Sequence, residues 1–370
     1  MSSESKDAPK SSFWSSIAST AMFVGTMVAK RWMYPPPGMV ENRPGSRPSD
    51  EEVSRIRALA SVAHACYELA HMDESAVKQV PTDDMAAEKE AIGSEGSSVM
   101  REAVASVGAP VGGSEMLVPP IREALALAVH GSTDPETVDA SRFAARGRPH
   151  GTAHQGFCCY WWPSPTQANP RAMSAMVAIL GTSYGSDWIH NILDAQMGRR
   201  TEATRLFDGA VPMMPPGLSP EYVGSLYCHH AFRDLAMEVL ETLVARVLSN
   251  KLQDMECIAV VGHSKGGGVA SILTALLAAC RLNPAHPLRP SCRLELATFG
   301  CAASVARTLF GPPLFRSADR LVSVVNAFDV VPRLTRTGLG KLASSAHNLH
   351  MVAKMLRVRD EDLGGGGGGG

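Results

Sequence analysis

The stretch CIAVVGHSKGGGVASILTALLAA, Cys257 to Ala279, constrains the fold of this chain more than any other. A short β-rich apolar run stops at Gly-His-Ser-Lys-Gly-Gly-Gly and turns directly into a small-residue, leucine-rich helical pattern. A buried strand that passes straight into a helix brings two backbones close together, which favours glycine on both sides of the turn. Ser264 sits at the centre of that turn, in the pattern G-x-S-x-G formed by Gly262 to Gly266. A serine there is held in strained geometry with its hydroxyl presented outward. The helix behind it aims N–H groups and partial positive charge at the same spot. Such a place suits attack on a carbonyl and stabilisation of the oxyanion that forms. The competing readings are a chance match and a phosphate-binding turn, but neither a P-loop nor a dinucleotide fingerprint is present.

Similar apolar runs of buried-strand length occur at SAMVAIL (174–180), RLELATF (293–299) and RLVSVV (320–325). Between them lie helical patterns at Phe232 to Leu248 and at Gly266 to Ala279. From about residue 120 the chain therefore reads as βα alternation, an α/β fold with a mostly parallel sheet flanked by helices. Chemistry in such sheets lies beyond the carboxyl ends of the strands. Upstream, Ser49 and Glu52 form a capping box, and apolar spacing predicts a helix to about His71. Residues 72–115, rich in Glu, Ser, Gly and Ala, read as a loop or weakly helical insertion. The expected organisation is a leader over 1–48, a helical and loop region over 49–119, the α/β domain over 120–363 and a glycine tail over 364–370.

Charge narrows the partners. Lys plus Arg number 35 against 36 Asp plus Glu, which leaves no basic footprint for nucleic acid. The eight cysteines show no metal-ligand spacing and several lie in apolar runs, as expected of reduced thiols in an intracellular protein. Phe13 to Ala29 carries no charge and is followed by Lys30-Arg31 and a proline run. It is short beside the ~20 residues of an ordinary span, so a membrane anchor, a targeting peptide and a packed leader all stay open. If it spans, the flanking basic residues favour a cytosolic main domain.

A serine needs a base and an orienting acid. In VVNAFDVVPRL, Asp329 follows the last apolar run, where Pro332 prevents simple continuation of the strand. Together VVGHSKGGGVASI, ATFGCAAS and VVNAFDVVPRL resemble the class 3 (fungal-type) lipases, and AMVAILGTSYGSDWIHNILDA and YCHHAFRDLA are similar to two further blocks of that family in its order. The likeness is greatest to the sn-1-specific diacylglycerol lipase branch. It implies an α/β-hydrolase fold and a serine lipase or esterase that hydrolyses acylglycerols, diacylglycerol included, or related lipid esters through an acyl-enzyme. By the same resemblance Ser264 is the nucleophile, Asp329 the acid, Thr182 and the backbone N–H of Lys265 the oxyanion donors, and Trp188 a lid residue. No cofactor is implied; calcium is raised by the diacylglycerol-lipase likeness alone, and no ligand cluster is apparent. The expected partner is a lipid ester, with membrane association through 13–29 and no obligate protein partner.

The chain departs from the family pattern in places. Leu180 replaces an arginine, Lys265 a leucine and Ala231 a glycine, while HQGF at 154–157 copies a family motif in the wrong order, so His154 reads as structural. After Asp329 only His347 and His350 remain, on a stretch with amphipathic spacing. The base is therefore either His350 in an unusual place or a residue outside the sequence. Two alternatives follow: a truncated or catalytically impaired lipase-fold protein that binds lipid or a partner, and a soluble carboxylesterase or acyltransferase.

Overall fold

The computed structural model describes residues 49–71, 111–147, 155–182, 203–207, 215–301, 304, 307–310 and 312–325. All fall within one compact unit, Arg47–Val325. Its centre is a six-stranded sheet in the order β1-β2-β3-β6-β7-β8. The strands are β1 (Phe143–Arg146), β2 (Phe157–Pro163), β3 (Met173–Ile179), β6 (Met255–His263), β7 (Arg293–Phe299) and β8 (Arg320–Val324). A separate antiparallel pair joins β4 (Ala203–Arg205) to β5 (Tyr227–His229). The helices are α1 (Asp50–Ala65), α2 (Pro119–Leu125), α3 (Pro220–Ser225), α4 (His230–Thr242) and α5 (Lys265–Leu282).

The runs at 174–180, 257–261, 293–299 and 320–325 form β3, β6, β7 and β8, which pair in parallel. The expectation of βα alternation from residue 120 is corrected at the start of the sheet, where β1, β2 and β3 are antiparallel neighbours. FCCYWWP, the β2 sequence, has no helix before β3, so a short connection returns the chain antiparallel rather than across the sheet. The result is a mixed, mostly parallel sheet with helices on both faces, the α/β-hydrolase arrangement.

Both faces are apolar because strand side chains alternate. On β6, Ile258 and Val260 join the core under α4 and α5, while Ala259 and Val261 join the core under α1 and α2. Helix α5 is buried along nearly its whole length, and Ser271 and Thr274 bond back to the carbonyls of Gly267 and Ala270 at 2.9 and 2.7 Å. These bonds leave its hydroxyls satisfied in an apolar setting. Among the described residues α5 is the one helix with the length and apolarity of a membrane span, and it lies enclosed in this core.

The capping box is half realised. Ser49 Oγ accepts from the Glu52 N–H at 3.1 Å, but the Glu52 carboxylate turns to Arg320 at 2.8 Å. A cross-element ion pair has displaced the local one. Arg55 pairs with Glu295 of β7, pinning α1 to the sheet. The predicted continuation to His71 is a tighter turn of 3₁₀ helix, Cys66–His71. The pattern at 232–248 begins earlier, at His230, and passes from α4 into a π-helical turn over Leu243–Val247. All eight cysteines are free thiols, six of them buried.

Candidate active site

Ser264 joins β6 to α5 with φ 55° and ψ −125°, the one positive φ among the described non-glycine residues. Such a conformation costs about 1–3 kcal/mol and persists only where the surroundings enforce it. Here they do so through hydrogen bonds. The Ser264 N–H donates to the Phe299 carbonyl at 2.9 Å, and its own carbonyl accepts from the N–H groups of Gly267 and Gly268 at 3.1 and 3.3 Å. Close packing adds to the constraint. A Cβ on Gly262 would lie 2.4 Å from the Gly266 carbonyl oxygen, and one on Gly266 would lie 2.4 Å from that of Ile179. Both glycines are therefore required by the approach of α5 to β6 and β3, as the sequence pattern predicts.

The neighbouring strand supplies the other side of the site. Ile179 is in register with Gly262, so Leu180, Gly181 and Thr182 run beside the elbow. A Cβ on Gly181 would meet the His263 carbonyl oxygen at 2.8 Å, which fixes how near the two segments come. Leu180, where the family pattern has arginine, is a fully buried core residue. Its N–H donates to the Gly156 carbonyl at 3.0 Å, and its carbonyl accepts from Gln155 Nε2 at 2.7 Å. Gln155 is itself fully buried. The HQGF segment thus anchors the end of β3 through Gln155, a support that its motif-like spelling conceals; His154 lies outside the described residues.

Lys265 opens α5 and is buried, so its backbone N–H stands at the helix N-terminus immediately after the serine. His229, in the block similar to the family's helix start, caps α4 by accepting from the Phe232 N–H at 3.4 Å. Burial, followed by the charge of His230, lowers the His229 pKa. Phe232 in turn packs on Gly268 of α5, where a Cβ would come within 2.7 Å of its ring. The second histidine-bearing block is therefore a structural brace for the elbow helix. Cys301 lies past β7, with Sγ 4.0 Å from Ser271 Oγ, and burial raises its pKa, which keeps it a thiol.

One contact was not read from the sequence. Tyr67, one turn beyond α1, places its hydroxyl 2.8 Å from His263 Nδ1, with the two rings edge to face at 5.8 Å between centroids. Burial pushes its pKa up to about 12, so the phenol stays protonated. No local motif marks Tyr67, since its partner is 196 positions away.

Asp329, His350, Trp188 and the 13–29 segment lie outside the described residues. So does His347. Among the described residues no group of three or more His, Cys, Asp and Glu side chains is arranged to hold a metal ion.

Residues 176–338 match the family described as lipase (class 3). No curated protein matches the chain. Among solved structures, the chain is similar to a fungal lipase–inhibitor complex at 14% identity and TM-score 0.39, covering 79% of this chain and 77% of that one. It is also similar to the Rhizomucor miehei lipase propeptide complex at 16% identity and TM-score 0.40, covering 83% and 74%. The stretch that matches the class 3 lipase family contains the strained serine, the glycines that fit around it and the adjoining strand end.

Proposed function

We propose that the protein is a serine lipase or esterase that hydrolyses acylglycerols, diacylglycerol among them, through an acyl-enzyme on Ser264. The observation that carries this reading is the Ser264 backbone at φ 55° between a buried strand and a buried helix. A core serine has no need of that conformation, and a nucleophile elbow does. Ser264 Oγ attacks the ester carbonyl while its proton passes to a general base, for which His350 is the candidate, oriented by Asp329. The negative charge gathers on the carbonyl oxygen, beside the N–H of Lys265 and the Thr182 segment. Collapse breaks the bond to the alcohol, which leaves with the proton, and water then releases the fatty acid by the same steps.

Trp188 is assigned to a lid over the acyl groove, and residues 13–29 to membrane association of an intracellular enzyme. Both assignments rest on the sequence. The test is hydrolysis of a long-chain diacylglycerol in mixed micelles beside a soluble short-chain p-nitrophenyl ester. A lipase gains rate on the micellar substrate above the critical micelle concentration. Turnover of the short ester alone would make the protein a soluble carboxylesterase.

A further inference from the structure

The residues that form the proposed site come from β3, β6 and α5, all inside the stretch matching the lipase family. Tyr67 comes from outside it, more than one hundred residues upstream of its start. Yet its side chain reaches both halves of the site. Its hydroxyl hydrogen-bonds Nδ1 of His263, the residue before Ser264, at 2.8 Å. The same hydroxyl lies 1.9 Å from where a Cβ on Gly181 would stand, so it is seated against the residue before Thr182. Only a glycine lets the phenol sit there.

On the reading proposed above, we infer that Tyr67 is a positioning residue: it clamps the oxyanion strand end at Gly181 to the nucleophile elbow at His263, and so makes the segment after α1 part of the site. Three features support a clamp rather than incidental packing. The ring is half-buried and packs against the core cluster beneath α1 to which the fully buried Cys66 and Leu69 belong. The phenol remains neutral through the working pH range, so it stays a hydrogen-bonding partner. Gly181 is also held against the His263 carbonyl, so movement of the phenol is passed to backbone on both sides of the serine. A displacement of even a fraction of an ångström between nucleophile and oxyanion donors weakens the transition state more than substrate binding.

The experiment uses the full chain and a fluorophosphonate probe, reading the maximal labelling rate and the half-saturating probe concentration separately. Tyr67→Phe keeps the ring and removes only the hydroxyl. It is expected to slow maximal labelling about three- to tenfold, as for one lost hydrogen bond, with half-saturation unchanged and a melting midpoint within about 2 °C of the parent. In a His263→Ala background the same change is expected to do nothing further. Labelling of Tyr67→Phe at the parent rate, or an undiminished loss in the His263→Ala background, would overturn the clamp. Persistent labelling of Ser264→Ala would instead overturn the underlying nucleophile reading. A readout free of reactivity completes the test: on ¹⁵N-histidine-labelled protein, Tyr67→Phe should move the His263 Nδ1 resonance, and an unmoved resonance contradicts the hydrogen bond.

Discussion

The two faces of the sheet are covered by helices of different character. On one, α5 follows the nucleophile elbow and is buried almost all round, with a continuous apolar core shared with α4. On the other, α1 is amphipathic, burying Ala58, Leu59, Val62, Ala63 and Ala65 on one side, while Glu52 and Arg55 on it meet ion-pair partners. The fastening differs in the same way. Arg281 at the end of α5 meets Asp319 in a two-pronged pair at 2.6 and 2.7 Å, with side chains 0% and 1% exposed. Arg55 of α1 meets Glu295 with the arginine side chain 39% exposed. Both faces rest on apolar cores, but the ion pair on the face of α5 is desolvated and the one on the face of α1 is open to water.

The sharpest way to break this contrast is to remove one partner from each pair. Asp319 also accepts from the N–H groups of Leu294 and Arg316, so Asp319→Ala strands the buried Arg281 and two amides. A loss of about 3–5 kcal/mol is expected in denaturant unfolding. Arg55→Ala should cost about 1 kcal/mol or less, because its pair is partly exposed and Glu295 keeps Arg293 at 3.1 Å. Equal losses would erase the distinction between the faces.

The same pair predicts a pH dependence. Burial raises the Asp319 pKa, but the hydrogen bonds from Arg281 and from the Arg316 and Leu294 amides, with the Arg281 charge, outweigh it and leave the group below its ordinary 3.8. A depressed folded pKa stabilises the protein above the unfolded value and is lost as pH falls through the folded one. Acid unfolding of the parent should therefore steepen as pH drops below about 4, and Asp319→Asn should flatten that limb.

Next in size come the cores. Leu273 of α5 is fully buried, and Leu273→Ala should cost about 3–4 kcal/mol; Leu59 of α1 is 6% exposed at the margin, and Leu59→Ala should cost about 2. An effect as small as that of Arg55→Ala is expected at the α1 cap, where Ser49→Ala should cost about 1 kcal/mol, read from the same unfolding curves.

What the sequence disclosed follows from how local each signal was. The elbow was legible because strand, glycines, serine and helix are consecutive, and the steric reason for each glycine is a neighbour a few residues away or on the adjoining strand. The parallel strands were legible as apolar runs buried on both faces. β1 and β2 were not, since FAAR is too short to show a period and FCCYWWP breaks the helix-strand alternation. The docking of α1 was equally hidden. Its amphipathic spacing announced a helix with a buried side, but not that Arg55 would find Glu295, Glu52 Arg320, or Tyr67 His263, all partners roughly two hundred residues or more away. Gln155 was hidden by a motif that resembled something else.

If the strain at Ser264 serves a nucleophile, the serine of the folded chain is reactive. The most direct measurement is the intact mass of the full chain after exposure to a fluorophosphonate, followed by location of the adduct in a peptide digest. A single adduct on Ser264 is expected, absent from Ser264→Ala while that variant melts with the parent. An adduct on another residue, or an unmodified Ser264 in the folded chain, would contradict it.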